Sequence, residues 1–217
     1  MIVQRVPTCR IVDTSAKLTS DLLPAIVDAG YAGVVRYVRL PGVDDTWDID
    51  ADELNAILGA GLGLLLVQHV RYPGWNPASY SGAGDAAAAI ERARAAGYGA
   101  GSHLFLDLEG VKARATDATI RFANDWADAV VAAGYEAGCY VGYAVPLTAV
   151  QLYDLHKMSS YWSDAGPRAV ATRGFAIRQR AEIQIGGVPF DPDDVTPDDQ
   201  GDTPSWTIGD EAAGGVA

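Results

Sequence analysis

The chain has 217 residues, of which 49% are hydrophobic, and a formal net charge of −12 at pH 7. This length suffices for one domain with a full core, and a barrel is among the folds that fit it. The strong acidity disfavours nucleic-acid binding, which needs a basic surface to neutralise phosphates, and it also disfavours unaided adhesion to an anionic membrane.

Neither a membrane span nor a signal peptide is predicted. The longest apolar runs, such as residues 62–67, are far too short to cross a bilayer. The first seven residues contain no apolar core of signal-peptide length. We therefore expect synthesis in the cytoplasm and no export by the usual secretory route.

A repeated Ala-Gly pair organises most of the sequence. It stands at residues 29–30, 60–61, 96–97 and 133–134. Each pair ends a segment of helical period, where glycine supplies a left-handed cap, and an apolar strand-like run follows. The pattern predicts β-α units in series, which is typical of a parallel sheet with helical crossovers.

Eight strands are predicted, and helices are weak between the last three. In chain order the strands cover residues 10–14, 33–39, 63–70, 103–110, 138–143, 159–163, 174–180 and 183–190. Four helices are predicted. Three cover residues 20–29, 85–96 and 117–133, and one more follows strand two with Asp50 or Asp52 as its N-terminal cap. The prediction is an α/β fold, a (β/α)8 TIM-like barrel with weakened late helices. A doubly wound sheet is the alternative, but no G-x-G-x-x-G or P-loop follows a strand.

The predicted barrel covers residues 1–191, and an extended acidic tail covers 192–217. The tail is rich in Asp, Gly and Pro and lacks periodicity, and Trp206 is a candidate to pin it. Its acidic runs do not have the spacing of a calcium loop, and the three histidines lack the spacing of zinc ligands. No metal is expected. Cys9 and Cys139 are expected to be small buried thiols.

The most informative local feature is the pair Asp107 and Glu109 on the fourth predicted strand. Residues two apart on a strand share a face, so the two side chains lie roughly 7 Å apart along the backbone. Burying two carboxylates together is costly, and it raises the pKa of one of them. Such a pair suits acid/base chemistry, of which glycoside hydrolysis is the commonest example.

Further candidates lie at the carboxyl ends of the other predicted strands, where barrels of this type have their active sites. Acidic and aromatic side chains dominate, and sugar sites need both. The set is Asp13, Arg36, Tyr37, His69, Asp107, Glu109, Tyr140, Tyr143, Trp162, Gln179 and Asp191. Separately, the long loop after strand three carries Tyr72, Trp75 and Tyr80.

Structural explanations stay open for several of these residues. Asp107 and Glu109 could form a structural pair bonded to Arg36 or Tyr143. Asp13 could simply form a turn with the hydroxyl residues after it. His69 could be a packed core histidine.

Several segments resemble the glycoside-hydrolase-like barrels related to family 25 lysozymes. Val12-Asp13-Thr14-Ser15 is similar to their opening strand, and Leu106-Asp107-Leu108-Glu109 to their D-x-E at strand four. The segment 186–191, ending in Asp191, resembles their closing pattern. The resemblance covers about residues 8–195. At strand seven Arg178-Gln179 stands where a Trp-Gln pair is usual.

The resemblance implies a barrel that cleaves β-1,4 links of peptidoglycan glycan without a cofactor. Glu109 would be the general acid, while Asp107 and Asp13 would orient the substrate and stabilise charge. The substrate's own acetamido group would be a candidate internal nucleophile. Asp191 would complete the acidic ring. The groove would be lined by Trp162 and by Tyr140 or Tyr143.

Two classes of function therefore compete. One is a cell-wall glycan hydrolase of endolysin type, released by a holin-type route, and a hydrolase of another polysaccharide cannot be separated from it. The other is a non-catalytic barrel that serves as a binding or structural module of a phage particle or secretion assembly. The acidity and the lack of a separate wall-binding domain favour the second class.

Overall fold

The computed structural model describes residues 1–43, 47–164, 166 and 168–210. Its strands, in chain order, are β1 Ile2–Arg5, β2 Cys9–Asp13, β3 Gly33–Val38, β4 Gly63–Gln68, β5 His103–Leu108, β6 Glu136–Val141, β7 Met158–Ser163, β8 Ile177–Gln179, β9 Ile183–Ile185, β10 Val188–Val195 and β11 Ser205–Ile208. The helices are α1 Leu23–Asp28, α2 Ala51–Gly59, α3 Gly82–Ala96, α4 Thr116–Ala132 and α5 Ala149–Tyr153, with a 3₁₀ turn at Pro77–Ser79.

Eight of these strands close into a barrel, which confirms the predicted fold class. The ring runs β2-β3-β4-β5-β6-β7-β8-β10, and β10 pairs with β2 to complete it. The strands from β2 to β8 are parallel to their neighbours. A helix follows each of β2 to β6, and α5 has only five residues, so the late helices are as weak as predicted.

The helix ends agree with the sequence pattern. The four glycines of the Ala-Gly pairs all have positive φ, between 80° at Gly61 and 93° at Gly134, which only glycine adopts at little cost. Asp50 caps α2 by accepting a hydrogen bond from the backbone N–H of Glu53. Within the described part of the chain, no helix is both long and apolar enough to span a membrane.

The last barrel strand differs from the prediction in place and direction. Strand eight was expected at residues 183–190, but the barrel uses β10, and β9 only pairs with β10 as a hairpin. β10 is antiparallel to both β2 and β8. The chain leaves β8 at the carboxyl-end mouth of the barrel and no helix carries it back, so the next barrel strand, β10, runs down from that mouth.

The predicted tail also needs correction. The boundary between Asp191 and Pro192 falls inside β10, and β11 pairs with β1 and with β4. Trp206 on β11 is 4% exposed and lies against two barrel glycines. A Cβ at Gly33 or Gly63 would come within 2.5 Å or 2.3 Å of its ring. Trp206 therefore pins the segment, as expected, by closing the amino-end bottom of the barrel.

Two apolar layers lie on either side of the barrel wall. Inward-facing residues such as Val35, Phe105 and Ile177 form one cluster, and outward-facing residues such as Val34 and Leu66 pack beneath the helices. Because alternate residues of a strand face opposite sides, odd-numbered residues of β2, β3 and β5 point into the barrel. This alternation decides which polar residues reach the mouth.

Replacing Trp206 with alanine should destabilise the protein by about 3–5 kcal/mol, since it empties a packed space against Gly33 and Gly63. Chemical denaturation of the purified variant measures the change. Tyr72→Ala is the control, because Tyr72 is 94% exposed and its removal empties almost no packed space. Equal stability of the two variants would contradict the role given to Trp206.

Candidate active site

The predicted acidic pair lies at the carboxyl end of β5. Asp107 is 7% exposed, and Glu109 directly follows the strand and is half-buried. Within the described residues, Asp107 Oδ1 has no hydrogen-bond partner. Neither carboxyl group bonds to Arg36 or Tyr143, so the structural pairing considered from sequence is absent among the described contacts. The strand therefore presents one deep acid and one acid at the rim.

The Glu109 side chain lies across the end of the neighbouring strand, where Gly142 leaves room for it. A Cβ at Gly142 would be 2.3 Å from Glu109 Oε2. Burial raises the pKa of Glu109, and the negative charge of Asp164 raises it further, while Arg168 acts in the opposite direction. Glu109 is thus a carboxyl group that retains its proton more readily than an exposed glutamate.

Asp13 ends β2 and is held by two donors. Tyr37 donates its hydroxyl to Oδ1 at 3.1 Å, and Gln179 donates its amide N–H to Oδ2 at 3.1 Å. The hydroxyl of Tyr140 donates in turn to Gln179 Oε1 at 3.0 Å. Burial raises the pKa of Asp13 to about 7, with the charge of Asp191 adding to the effect and the hydrogen bonds opposing it.

Asp193 was not predicted, yet it lies at the centre of the cluster. It is 0% exposed, and Trp162 donates its indole N–H to Oδ1 at 2.7 Å. Its carboxyl group lies beside that of Asp13, close enough for the two to interact electrostatically. Burial raises its pKa well above the ordinary range, as does the adjacent charge of Asp13.

The hydrogen-bond pattern makes Asp193 the acid best suited to retain a proton. Both oxygens of Asp13 already accept from other donors, and Oδ1 of Asp193 accepts from Trp162. Oδ2 of Asp193 is buried without a hydrogen-bond partner. A proton on this atom would remove one of two neighbouring like charges.

Asp107 and Asp191 complete the acidic set. Burial raises the pKa of Asp107 well above its usual value, and the charges of Glu109 and Asp13 add to this. Asp191 lies opposite Asp13 in the strand ladder and is half-buried, and its pKa is raised by burial and by Glu182. Among the described residues, none of Asp13, Asp107 and Asp193 has a basic ion-pair partner.

The prediction that Arg36 binds substrate is wrong. It is 0% exposed and faces outward from β3, towards α2. Its Nε donates to Glu53 Oε1 at 2.6 Å, and its other nitrogens bond to the carbonyls of Thr14 and Trp47. Its even position on the strand places it on the helix side, where it bonds to the chain that leaves β2.

Trp162 and Tyr140 also do not line an open groove in this structure. Trp162 is 1% exposed and Tyr140 is 9% exposed, and their rings pack edge to face at 4.7 Å. They support Asp193 and Gln179 from inside the barrel. The two side chains are nearly inaccessible from the mouth because a closed barrel of eight strands fills its interior with side chains.

The remaining predicted residues lie at the mouth. Tyr143 is 46% exposed, and its hydroxyl would be 3.0 Å from a Cβ at Gly110. His69 stacks on Tyr37 with ring centroids 4.6 Å apart, and its Nε2 is 3.8 Å from a carboxylate oxygen of Asp48. His69 therefore lies between Tyr37, which bonds to the buried Asp13, and the surface. Tyr143 lies at the mouth beside the segment that follows Glu109.

A cleft of about 1160 Å³ opens beside His69. We call it the side cleft, lined by residues 39–41, 43, 69–75, 79–81 and 84–85. Its walls carry the three aromatic residues of the long loop, Tyr72, Trp75 and Tyr80. The indole N–H of Trp75 donates to the backbone carbonyl of Glu109 at 2.8 Å, which joins the cleft to the acidic pair.

The signal for Asp193 was present in the sequence. Asp191 and Asp193 are two residues apart, the same spacing that singled out Asp107 and Glu109. The predicted strand ended at Phe190, so the alternation was not carried forward. Within the described residues, no group of three His, Cys, Asp or Glu side chains has a geometry that could hold a metal ion.

Comparison with known proteins identifies the fold family. The sequence model of the family described as "Rv2525c-like, glycoside hydrolase-like domain" matches residues 24–186. No curated protein matches the sequence.

Three solved structures illustrate the similarity in fold. The Mycobacterium tuberculosis Tat-secreted protein Rv2525c is 16% identical with a TM-score of 0.61, and the match covers 90% of this chain and 98% of that one. The bacterial lysozyme from Streptomyces coelicolor is 16% identical with a TM-score of 0.58, covering 93% and 92%. The modular autolysin LytC from Streptococcus pneumoniae, in complex with a synthetic peptidoglycan ligand, is 17% identical with a TM-score of 0.60, covering 92% and 47%.

The buried acids predict that stability falls as pH rises. A group whose pKa is raised in the folded state contributes its full stability below its unfolded pKa, here 3.8 for Asp193, and loses it as pH rises through the folded pKa. Each proton held by the fold should contribute a slope of about 1.4 kcal/mol per pH unit between pH 5 and pH 7. Urea denaturation across this range measures the slope.

Asp193→Asn tests the assignment of the proton. The amide keeps an acceptor for Trp162 and carries no charge beside Asp13, so the fold should survive while the slope becomes shallower by about 1.4 kcal/mol per pH unit. Asp21→Asn, at an exposed position, should leave the slope unchanged. An Asp193→Asn protein with the wild-type slope would show that Asp193 does not retain the proton.

Proposed function

The chain belongs to the Rv2525c-like, glycoside hydrolase-like domain family, and from this premise we propose that it hydrolyses β-1,4 glycosidic bonds of bacterial peptidoglycan. The reaction class is carboxylate acid/base catalysis at the mouth of the barrel. The proposed substrate class is that of the lysozyme and the peptidoglycan-bound autolysin to which the fold is similar.

The observation that carries the proposal is the pair on β5. Glu109 is half-buried at the rim with a raised pKa, and Asp107 lies below it on the same face. A general acid must reach the leaving oxygen and hold a proton near the working pH, which suits Glu109. A second carboxyl group close by is what glycoside hydrolysis requires to stabilise the charge that develops on the sugar.

In the proposed reaction the acetamido group of the substrate is the nucleophile. Glu109 transfers its proton to the glycosidic oxygen as the bond to the anomeric carbon breaks, and the acetamido oxygen of the substrate attacks that carbon. Asp107, which lies below Glu109 on the same strand face, stabilises the positive charge that develops in this step when it is ionised. Water, deprotonated by Glu109, then opens the cyclic intermediate and restores the acetamido group.

Asp13 and Asp191 have supporting roles in this proposal. Asp13 is fixed by Tyr37 and Gln179, so it contributes negative charge beneath the sugar and makes no flexible contact. Asp191, half-buried at the rim opposite Asp13, can accept sugar hydroxyl groups.

A glycan-binding barrel without turnover is the second candidate. It is favoured by the engagement of both Asp13 oxygens with protein donors, which leaves this carboxyl group as part of the scaffold. Such a module would serve a phage particle or a secretion assembly. For the hydrolase, release by a holin-type route is part of the proposal.

Glu109→Gln should lower the release of reducing ends from purified peptidoglycan by about 10²–10⁴-fold, because the amide cannot donate the proton to the leaving oxygen. Glu91→Gln, at an exposed position on α3, is the matched control and should keep full activity. Circular dichroism and thermal unfolding check that both variants are folded.

The same experiment separates the two candidates. Wild-type protein that releases no reducing ends between pH 4 and pH 8, while wild type and Glu109→Gln both sediment with the wall, would favour the non-catalytic barrel. Undiminished turnover by Glu109→Gln would rule out Glu109 as the acid.

A further inference from the structure

The loop that forms one wall of the side cleft is fastened to the strand end that carries Glu109. The backbone N–H of Gly74 donates to the carbonyl of Gly110 at 2.7 Å, and that of Lys112 to the carbonyl of Trp75 at 2.9 Å. With the indole bond from Trp75 to the Glu109 carbonyl, three hydrogen bonds connect the two segments. The wall therefore has a fixed position relative to the acid.

Tyr72 extends from this fastened loop with almost no protein contact. Its side chain is 94% exposed, although it lines the side cleft. A tyrosine that packs against so little contributes almost nothing to the stability of the fold. An exposed aromatic ring on a rigid loop is instead suited to stack against the face of a ligand.

The charged groups of the cleft are already neutralised. Arg71 forms a two-pronged ion pair with Asp85, with Nη2 at 2.8 Å from Oδ1, and its guanidinium lies 3.7 Å from the ring centroid of Tyr80. Arg39 also lines the cleft and lies 3.2 Å from a carboxylate oxygen of Asp48, so both arginines in the described lining of the cleft are paired and less available to an anionic ligand. Aromatic faces beside satisfied polar groups fit uncharged sugar rings.

We propose that the side cleft binds the continuation of the glycan chain beyond the bond positioned at Glu109, with Tyr72 as the stacking residue. The occupant is a β-1,4-linked N-acetylated sugar polymer, because the wall of the cleft is bonded to the strand end that carries Glu109 and presents an exposed aromatic ring beside paired charges. This inference rests on the proposed function and adds an extended site to it. Its consequence is a preference for long over short oligosaccharides.

The test measures binding of two defined probes, the hexasaccharide and the disaccharide of β-1,4-linked N-acetylglucosamine. Glu109→Gln is the parent protein so that the probes are not consumed. Adding Tyr72→Ala should weaken binding of the hexasaccharide by about 5- to 10-fold and leave the disaccharide unchanged. Tyr72→Phe retains the ring and should bind like the parent. Titrations followed by NMR report both affinities.

Tyr153→Ala is the matched control, because Tyr153 is an exposed tyrosine on α5 and should affect neither probe. Equal hexasaccharide affinity of Tyr72→Ala and Tyr153→Ala would overturn the inference, as would equal weakening of both probes by Tyr72→Ala. A separate assay of wall hydrolysis by the single Tyr72→Ala variant distinguishes the failures. Wild-type cleavage with no effect of Tyr72 rejects the side cleft alone, whereas absence of both cleavage and hexasaccharide binding rejects the function and the cleft together.

Discussion

The close burial of the Asp13 and Asp193 carboxyl groups, without a basic partner among the described residues, shapes the whole site. Three acids lie inside a closed barrel, and no described basic side chain pairs with Asp13, Asp107 or Asp193. Isolated buried charges of one sign are too costly to coexist. The barrel therefore retains protons, and the tyrosine, tryptophan and glutamine side chains around the acids determine where those protons lie.

The antiparallel direction of β10 brings these two acids together. The strand enters the barrel from the mouth, so Asp191 is met first at the rim and Asp193 lies one pleat deeper. The same strand lies between β2 and β8, which places Asp193 directly opposite Gln179 and diagonally across from Asp13. One turn without a crossover helix thus supplies both a rim acid and a buried proton donor.

The site separates rigid support from contact with the ligand. Trp162, Tyr140 and Gln179 are held inside the wall, where they fix the buried acids. Glu109 and Tyr143 lie at the mouth. The loop of residues 71–75, which is bonded to residues 109–112, holds Tyr72 outside the mouth. Because the loop is bonded to the segment after Glu109, the acid and the aromatic wall keep a constant separation, as a site for a polymeric substrate requires.

The β-α series, the glycine caps, the D-x-E pair on one strand face and the family resemblance could all be predicted from the amino-acid sequence. These features depend on local periodicity and on residues close together in the chain. Four other features emerge only in the folded chain: Arg36 faces outward to Glu53, Asp193 lies near Asp13, Trp206 closes the bottom of the barrel, and β10 runs antiparallel. Each of these depends on which distant segments pair and in what register, and a spacing rule within one segment contains no information about its partner.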